Sequence, residues 1–235
     1  YRVRVGTGSG SISLANPGTS LGSGSELQMN AATGLSTNKF SVYSWSNLTT
    51  VAYLKTKIRT TSSGNGNLAI FIGTAPTGST NLDYTGEYAG SLSTLWLTYT
   101  AGSLSNVTRR SAGAATAISS SGLSKDSDQI VEIYCNNAST STTYYAGGVT
   151  NSLNAQSWDL WVGGTKISSS GGWGPANSPG IGANVNLGAI NFYAQSSTGN
   201  AAFMYLDDLE YSNALPTPPA PSLTATGTIN AMSTI

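Results

Sequence analysis

The sequence predicts an all-β fold, in which two antiparallel sheets pack as a sandwich of the jelly-roll type. Ser, Thr, Gly and Asn make up 112 of the 235 residues, whereas the helix formers Glu, Lys and Gln are scarce. Short runs of Val, Ile, Leu and aromatic residues recur along the chain, which favours strands joined by turns. No segment shows the 3.6-residue periodicity of an amphipathic helix.

Alternation of apolar and polar residues places the individual strands. In residues 51–58 and 68–72 the apolar side chains recur at even positions, as in half-buried strands. Between these runs, Asn65-Gly66 predicts a tight hairpin, because this pair accepts the positive φ angles of a type I′ turn. Gly163-Gly164 predicts a second tight turn. The ten predicted strands span residues 1–5, 39–45, 51–58, 68–72, 95–100, 129–135, 158–162, 165–167, 187–194 and 203–211.

The inward positions of these strands predict the core between the two sheets. Aliphatic residues dominate them, and one aromatic residue joins the set. The predicted core residues are Leu54, Ile58, Leu68, Ile70, Ile72, Leu97, Val131, Ile133, Leu160, Ile190 and Phe192.

Several residue types that are missing or rare exclude whole classes of function. The chain has no His and a single cysteine, so it lacks the ligands of a zinc site and the base of a Ser-His-Asp centre. Ten acids balance ten bases, and this zero formal charge argues against nucleic acid as a partner. No apolar run reaches the roughly 18 residues of a membrane span. The few carboxylates form no convincing glycosidase pair, so we predict that the protein is not an enzyme.

Composition divides the chain into three parts. Residues 1–215 form the sandwich domain, and residues 216–221 form a proline-rich spacer of roughly 19 Å, at about 3.1 Å per residue. Residues 222–235 alternate like an extended strand. Because the stiff spacer holds this strand away from its own domain, we expect it to pair with a neighbouring subunit. The side chains predicted to enter the neighbour are Leu223, Ala225, Gly227, Ile229, Ala231 and Ile235.

Three stretches carry a resemblance to known modules. DQIVEIY at 128–134, WDLWVGGTK at 158–166 and FMYLDDLEY at 203–211 resemble the late strands of concanavalin-like and jelly-roll modules in large secreted bacterial surface proteins. The whole chain, with its spacer and the following LTATG at 223–227, is similar to modules of type IX-secreted surface proteins. The resemblance implies an extracellular or cell-surface location and a role in glycan binding, adhesion or structure.

The resemblance also suggests a structural calcium ion, because similar modules often hold one near the last strand. Asp207 and Asp208 are the candidate ligands, and no other cofactor is expected. Calcium takes six to eight oxygen ligands, which carboxylates and loop carbonyls provide. Adjacent strand residues point to opposite faces, so both aspartates could bind one ion only at a β-bulge. The alternative is that they are ordinary carboxylates at a strand end.

Aromatic residues outside the core pattern are candidates for stacking on sugars. Trp173 lies in a Ser/Gly-rich loop, and Tyr144 and Tyr145 lie in a Ser/Thr-rich stretch. Trp161 and Trp96 alternate out of phase with their apolar neighbours, which points them away from the core. The alternative for Trp173 is a lid that folds back over one end of the sandwich.

Two functions from different classes fit these observations. In the first, the protein is an extracellular structural or adhesive unit that assembles head-to-tail into filaments by donating its C-terminal strand to another copy. In the second, it is a lectin-like, glycan-binding module of a secreted protein. The chain opens at Tyr1 without Met or a hydrophobic leader, so we expect that a secretion signal was removed or that the chain is a fragment.

Overall fold

The computed structural model describes residues 2–5, 10–15, 21, 24–34, 37–43, 47–74, 90–111, 114–176 and 181–220. Every regular element within these ranges is a β-strand, which confirms the predicted all-β class, and no helix capable of crossing a membrane occurs in them. The strands are β1 (Arg2–Val5), β2 (Ser11–Ala15), β3 (Glu26–Ala31), β4 (Thr37–Tyr43), β5 (Val51–Ser62), β6 (Gly66–Gly73), β7 (Ser91–Thr100), β8 (Ser103–Ser111), β9 (Ala114–Ala117), β10 (Gln129–Asn136), β11 (Thr142–Ala146), β12 (Val149–Leu153), β13 (Ser157–Val162), β14 (Thr165–Lys166), β15 (Ala189–Ser196) and β16 (Ala202–Ser212).

Two seven-stranded antiparallel sheets form the sandwich. Sheet A has the order β1-β4-β15-β6-β7-β8-β9, and sheet B has the order β14-β13-β10-β5-β16-β3-β2. A separate two-stranded hairpin joins β11 to β12. Strands that are distant in sequence lie side by side at the centre of each sheet, as in the β15–β6 and β5–β16 pairs. The predicted two-sheet architecture is therefore confirmed.

One apolar core fills the space between the sheets. All eleven core residues predicted from alternation belong to this cluster, so the predicted core is confirmed. The core excludes water because inward side chains from both sheets interdigitate, and burying one large aliphatic side chain contributes about 1.5 to 3 kcal/mol. The alternate side chains of each strand point outward, and this arrangement creates two outer faces.

The two predicted tight turns have different outcomes. At Gly163-Gly164 both φ angles are positive, at 56° and 77°, and Val162 pairs with Thr165, so the turn is confirmed. The hairpin at Asn65-Gly66 is wrong, because β5 lies in sheet B and β6 in sheet A. The glycine instead permits close approach between the sheets, since a Cβ at position 66 would lie 2.9 Å from the Cβ of Ala202.

Six described strands have no counterpart among the ten predicted ones: β2, β3, β8, β9, β11 and β12. Several are edge or surface strands with few apolar residues, and β9 is exposed along its whole length. Such strands form because a neighbour offers backbone hydrogen bonds, and they leave a weak alternation signal.

The proline-rich spacer begins against the sandwich. The backbone N–H of Tyr145 on β11 donates to the carbonyl of Pro216 at 2.8 Å. Leu215 packs on the aromatic residues beneath the β11–β12 hairpin. The first residue of the spacer is thus held against the β11–β12 hairpin, whereas the predicted donated strand, residues 222–235, lies outside the described residues.

Candidate functional site

The centre of sheet A turns polar and aromatic side chains away from the core. Along β6, Leu68 and Ile70 face inward, so Asn67, Ala69 and Phe71 face outward. The antiparallel register aligns these positions with outward residues of β15 and β7. We name three resulting rows: an amide row of Gln195, Asn67 and Thr98; a ring row of Tyr193, Ala69 and Trp96; and a buried row of Asn191, Phe71 and Thr94.

The ring row contains a pair of half-buried aromatic side chains. The rings of Trp96 and Tyr193 lie 5.4 Å apart between centroids with an interplanar angle of 32°. Ala69 lies on β6, the strand between theirs, and its small side chain allows the two rings to approach each other. Both rings also make edge contacts with Phe71, at 6.2 and 6.4 Å. Phe71 therefore supports a pair of rings that is still partly open to solvent.

The amide row lies directly beside the ring row and is connected to it. The indole N–H of Trp96 donates to the Asn67 carbonyl oxygen at 3.2 Å, and the Asn67 amide donates to Gln195 at 3.3 Å. These bonds fix the amides at the edge of the ring pair. A surface pocket of about 390 Å³ continues from this row, and its walls come from Asn65, Gly66, Asn67, Thr98, Tyr99, Thr100, Gln195, Ser196 and Ser197.

The buried row contains two polar groups whose hydrogen bonds are incomplete. Ser41 donates to the Asn191 carbonyl oxygen at 3.2 Å, but the Asn191 amide nitrogen has no hydrogen-bond partner among the described residues. The hydroxyl of Thr94 also lacks one in that part of the chain. An unsatisfied buried polar group costs about 1 to 3 kcal/mol, and both side chains are fully buried, so these groups carry a stability cost and offer no exposed surface to a ligand.

The alternation of residues correctly predicted that Trp96 points outward, but Tyr193, Asn67 and Gln195 were not predicted as site residues. The sequence does indicate the outward direction of two of them, because Tyr193 and Gln195 alternate with the apolar residues Phe192 and Ala194. What the sequence does not reveal is that β15 pairs with β6, more than a hundred residues away.

A second aromatic cluster lies on the outer face of sheet B and is covered. Tyr53, Tyr134 and Trp161 rise from β5, β10 and β13, and the β11–β12 hairpin closes over them with Tyr144. Tyr134 and Tyr144 stack at 4.1 Å between centroids. Trp161 and Tyr144 are only 6% and 1% exposed, and the half-buried Tyr145 is tied to the spacer. The glycan-binding role of these three residues stays a prediction, although the two buried rings offer a sugar little surface.

Hydrogen bonds hold the side chains of this covered cluster in place. Tyr144 donates to Asp159 at 2.5 Å, and Lys166 donates to the same carboxylate oxygen at 2.6 Å. The indole of Trp161 in turn donates to the Tyr144 hydroxyl at 2.9 Å. Burial, assisted by the Asp159 carboxylate, raises the pKa of Tyr144 well above its ordinary value. Tyr144 therefore keeps its proton and holds the hairpin in place.

Trp173 takes the position of the lid that the sequence left open as an alternative. Its backbone exchanges two hydrogen bonds of 2.9 Å with Trp158, and the two rings meet edge to face at 5.0 Å. Arg109 lies over the Trp173 ring at 5.0 Å. The half-buried ring packs against the core, so its contacts account for a tryptophan in a loop, and its role in glycan binding stays a prediction.

Asp207 and Asp208 lie at the β-bulge that a shared metal ion would require. The register of β16 against β5 shifts between Asp207 and Glu210, and Asp208 has a φ of 48°. Lys57 and Lys55 are the cross-strand partners of Asp207 and Glu210 and place positive charge beside them. Within the described ranges no three His, Cys, Asp or Glu side chains are grouped to hold a metal ion. The calcium site stays a prediction.

The fold and this arrangement of faces define a two-sheet β-sandwich of the galectin-like and jelly-roll class. No family model matches the chain, and no curated protein is significantly similar to it in sequence.

Solved structures resemble it over most of its length. A protein of unknown function with a galectin-like fold from Bacillus subtilis is 12% identical, with a TM-score of 0.52 over 92% of this chain and 90% of that one. The cellulose induced protein Cip1 is also 12% identical, with a TM-score of 0.51 over 92% of this chain and 94% of that one. At this identity the similarity concerns the fold.

Proposed function

We propose that this protein binds glycans through the outer face of sheet A. The observation that supports the proposal best is the half-buried Trp96–Tyr193 ring pair, which lies beside a row of amide side chains. Sugars present apolar C–H faces next to hydroxyl groups, so they suit a site that combines rings with hydrogen-bonding side chains. The site would act by binding rather than by catalysis.

The amide row supports the same proposal. Asn67 and Gln195 lie beside the rings, and a surface pocket of about 390 Å³ continues from them. Such amides can donate to and accept from sugar hydroxyl groups. We include an extracellular or cell-surface location in the proposal, because that is where such a module would meet polysaccharides.

Replacement of one ring tests the proposal. Trp96→Ala should weaken retention in native gels that contain polysaccharides by at least tenfold, equivalent to about 1.4 kcal/mol. Trp173→Ala is the matched control, because it removes another half-buried tryptophan and should leave retention by the folded protein unchanged. The proposal is wrong if Trp96→Ala binds like the wild type or if only Trp173→Ala loses retention. The second result would place the site at the predicted loop.

The edges of the two sheets favour a second candidate function, which is strand exchange between copies. β1 ends sheet A and β2 ends sheet B, so within the described residues each has one side without a neighbouring strand at the margin of the sandwich. Leu14 on β2 is 69% exposed although it lies on the core side, opposite Leu27. Val3 and Val5 on β1 are 44% and 42% exposed. We call this open margin the β1/β2 slot.

The proposed occupant of the slot is the segment 222–235 of another copy. Its alternating Leu223, Ile229 and Ile235 would cover the exposed apolar side chains, and its backbone would pair with an edge strand. Such a head-to-tail contact builds filaments if it does not close on itself.

Sedimentation of variants tests strand exchange. Deletion of residues 222–235 should yield monomers, and Ile229→Asp should also block assembly, because it drives a charge into the slot. Thr228→Asp, one residue away on the opposite face, is the matched control and should assemble. Filaments formed equally well by the truncated chain would reject this second function.

A further inference from the structure

The outward side chains at one end of sheet A form a further row beyond the rings and the amides. Because outward positions recur every two residues, Ser197, Asn65 and Thr100 follow the amide row along the lines of β15, β6 and β7. We call these three residues the end row. The end row and the amide row together line the surface pocket of about 390 Å³. The pocket therefore leads away from the ring pair along the strands.

The polar groups of the end row are engaged within the protein. The Ser197 hydroxyl donates to the backbone carbonyl of Asn65 at 2.9 Å, and the Asn65 side-chain oxygen accepts from the backbone N–H of Ala101 at 2.9 Å. The hydroxyls of Thr100 and Ser105 share a hydrogen bond of 2.9 Å. These bonds hold the far wall of the pocket in place.

The amide row, in contrast, keeps hydrogen-bonding groups that the described part of the chain does not use. The side-chain oxygen of Gln195 accepts from Asn67, but its amide nitrogen, with two N–H donors, bonds to no described residue. The Thr98 hydroxyl also has no partner within the described ranges. Both side chains are half-buried, so part of each is exposed, unlike the fully buried polar groups of the buried row.

The spacing of the rows indicates the length of the ligand. Neighbouring outward positions on a strand lie about 6.6 Å apart, at roughly 3.3 Å per residue, so the ring row and the end row are about 13 Å apart. A sugar ring is similar in size to the phenol ring of Tyr193, so one sugar unit that stacks on the ring pair cannot also fill the pocket. A second unit, linked to the first along the strand direction, would lie over the amide row.

We infer that Thr98 and Gln195 form a second sugar subsite, so that the site takes a chain of at least two sugar units laid along β6. This inference rests on the proposed function and adds the length of the ligand and the residues that select it. The first unit stacks on Trp96 and Tyr193, and the second lies in the pocket. The Thr98 hydroxyl donates and accepts and the Gln195 amide donates, which suits the hydroxyl groups of that second unit.

Sugar chains of increasing length test the second subsite. The probes are the monosaccharide, disaccharide and trisaccharide released from a polysaccharide that the wild-type protein retains, and isothermal titration calorimetry measures their affinities. The disaccharide should bind about tenfold more tightly than the monosaccharide, equivalent to about 1.4 kcal/mol. This gain exceeds the statistical advantage of a ligand that offers two units instead of one.

Two conservative variants locate the gain. Thr98→Val removes the hydroxyl and suits a strand, whereas Gln195→Glu keeps the oxygen that accepts from Asn67 and removes the N–H donors. Each should reduce the gain about fivefold, as expected for a lost hydrogen bond, and leave monosaccharide binding unchanged. Thr61→Val is the matched control, because Thr61 is a half-buried threonine on the outer face of sheet B, and it should bind like the wild type. Circular dichroism checks that each variant is folded.

The outcomes separate this inference from the proposed function. If the disaccharide and the monosaccharide bind equally while Trp96→Ala weakens both, the protein binds glycans through one subsite and the inference is wrong. If the gain persists in Thr98→Val and in Gln195→Glu, the second unit is bound elsewhere, which also rejects the inference. If no polysaccharide binds in a way that depends on Trp96, both the inference and the proposed function are wrong.

Discussion

The outer faces of the two sheets carry similar aromatic residues in opposite circumstances. On sheet B, Tyr53, Tyr134 and Trp161 are buried beneath the β11–β12 hairpin. On sheet A, Trp96 and Tyr193 are half-buried, and no described strand crosses over them. The hydroxyl of Tyr144 on the covered face is fully engaged, whereas polar groups beside the rings of sheet A lack described partners.

This difference indicates that the covered face serves mainly stability, whereas the open face is suited to binding. A covered ring cluster contributes apolar burial and closed hydrogen-bond networks, so its residues should matter mainly for folding. A half-open cluster contributes less to folding, and its partly exposed rings and neighbouring amides leave surface for a ligand. Aromatic content alone would assign both faces the same role.

The largest effect should come from removal of a covered ring. Tyr144→Ala should lower the free energy of unfolding by about 3 to 5 kcal/mol, because it opens a cavity and strips Asp159 of a donor. Urea denaturation measures the loss. Tyr145→Ala, the neighbouring half-buried residue, should lose far less. A Tyr144→Ala protein as stable as Tyr145→Ala would show that the hairpin does not stabilise this face.

Alkaline pH should weaken the covered face next. Burial, followed by interactions with Glu132, raises the pKa of Tyr53 and Tyr134 on the covered face, and burial also raises the pKa of Tyr99, in the core between the sheets, to about 12. The folded protein then keeps these protons where the unfolded chain loses them, at an ordinary pKa of about 10. Stability is therefore complete below about pH 10 and falls as the pH rises above it.

Urea denaturation at several pH values, with tyrosinate absorbance as a second signal, checks the alkaline loss. Tyr144→Phe should reduce the loss per pH unit because it removes one titrating hydroxyl. Stability that stays constant to pH 11, with tyrosinate forming in the folded protein, would contradict the prediction.

Replacement of two matched glycines should reveal the contact between the hairpin and the Trp161 ring through a smaller loss of stability. Gly147 and Gly163 both adopt positive φ angles, of 60° and 56°. A Cβ at Gly147 would lie 2.8 Å from the Trp161 ring, whereas one at Gly163 would meet nothing within 4 Å. Gly147→Ala should therefore cost about 1 to 3 kcal/mol more than Gly163→Ala, which carries only the backbone strain. Equal losses in thermal unfolding would mean that the hairpin yields without cost.

The sequence predicted the layers of this fold better than the pairing of its strands. Alternation identifies which side chains face inward, because a two-residue period is a local property, and the complete predicted core follows from it. Asn65-Gly66 shows the limit of local rules, since the favoured turn gives way to a crossover between two sheets.

The candidate site was harder to predict because pairing across the chain creates it. Trp96 and Tyr193 meet only when β7 and β15 flank β6, and nothing local in either strand specifies that neighbour. Trp161 shows the converse: it points outward as predicted, but a separate hairpin covers it. An outward position can be inferred from sequence, whereas exposure depends on what lies above it.

The smallest expected effect gives the sharpest contrast between the faces, because its sign should differ from one sheet to the other. Thr94→Val replaces a buried hydroxyl that lacks a described partner with a methyl group of similar size, so stability should stay unchanged or rise by up to about 1 kcal/mol. Tyr144→Phe removes a hydroxyl that bonds to both Asp159 and Trp161, and it should lower stability by about 1 to 3 kcal/mol. Polysaccharide retention should persist in both folded variants, because neither hydroxyl is exposed to a ligand. If Thr94→Val instead destabilises the protein as much as Tyr144→Phe does, that hydroxyl is satisfied in solution, and the two faces do not differ in how completely their buried polar groups are hydrogen-bonded.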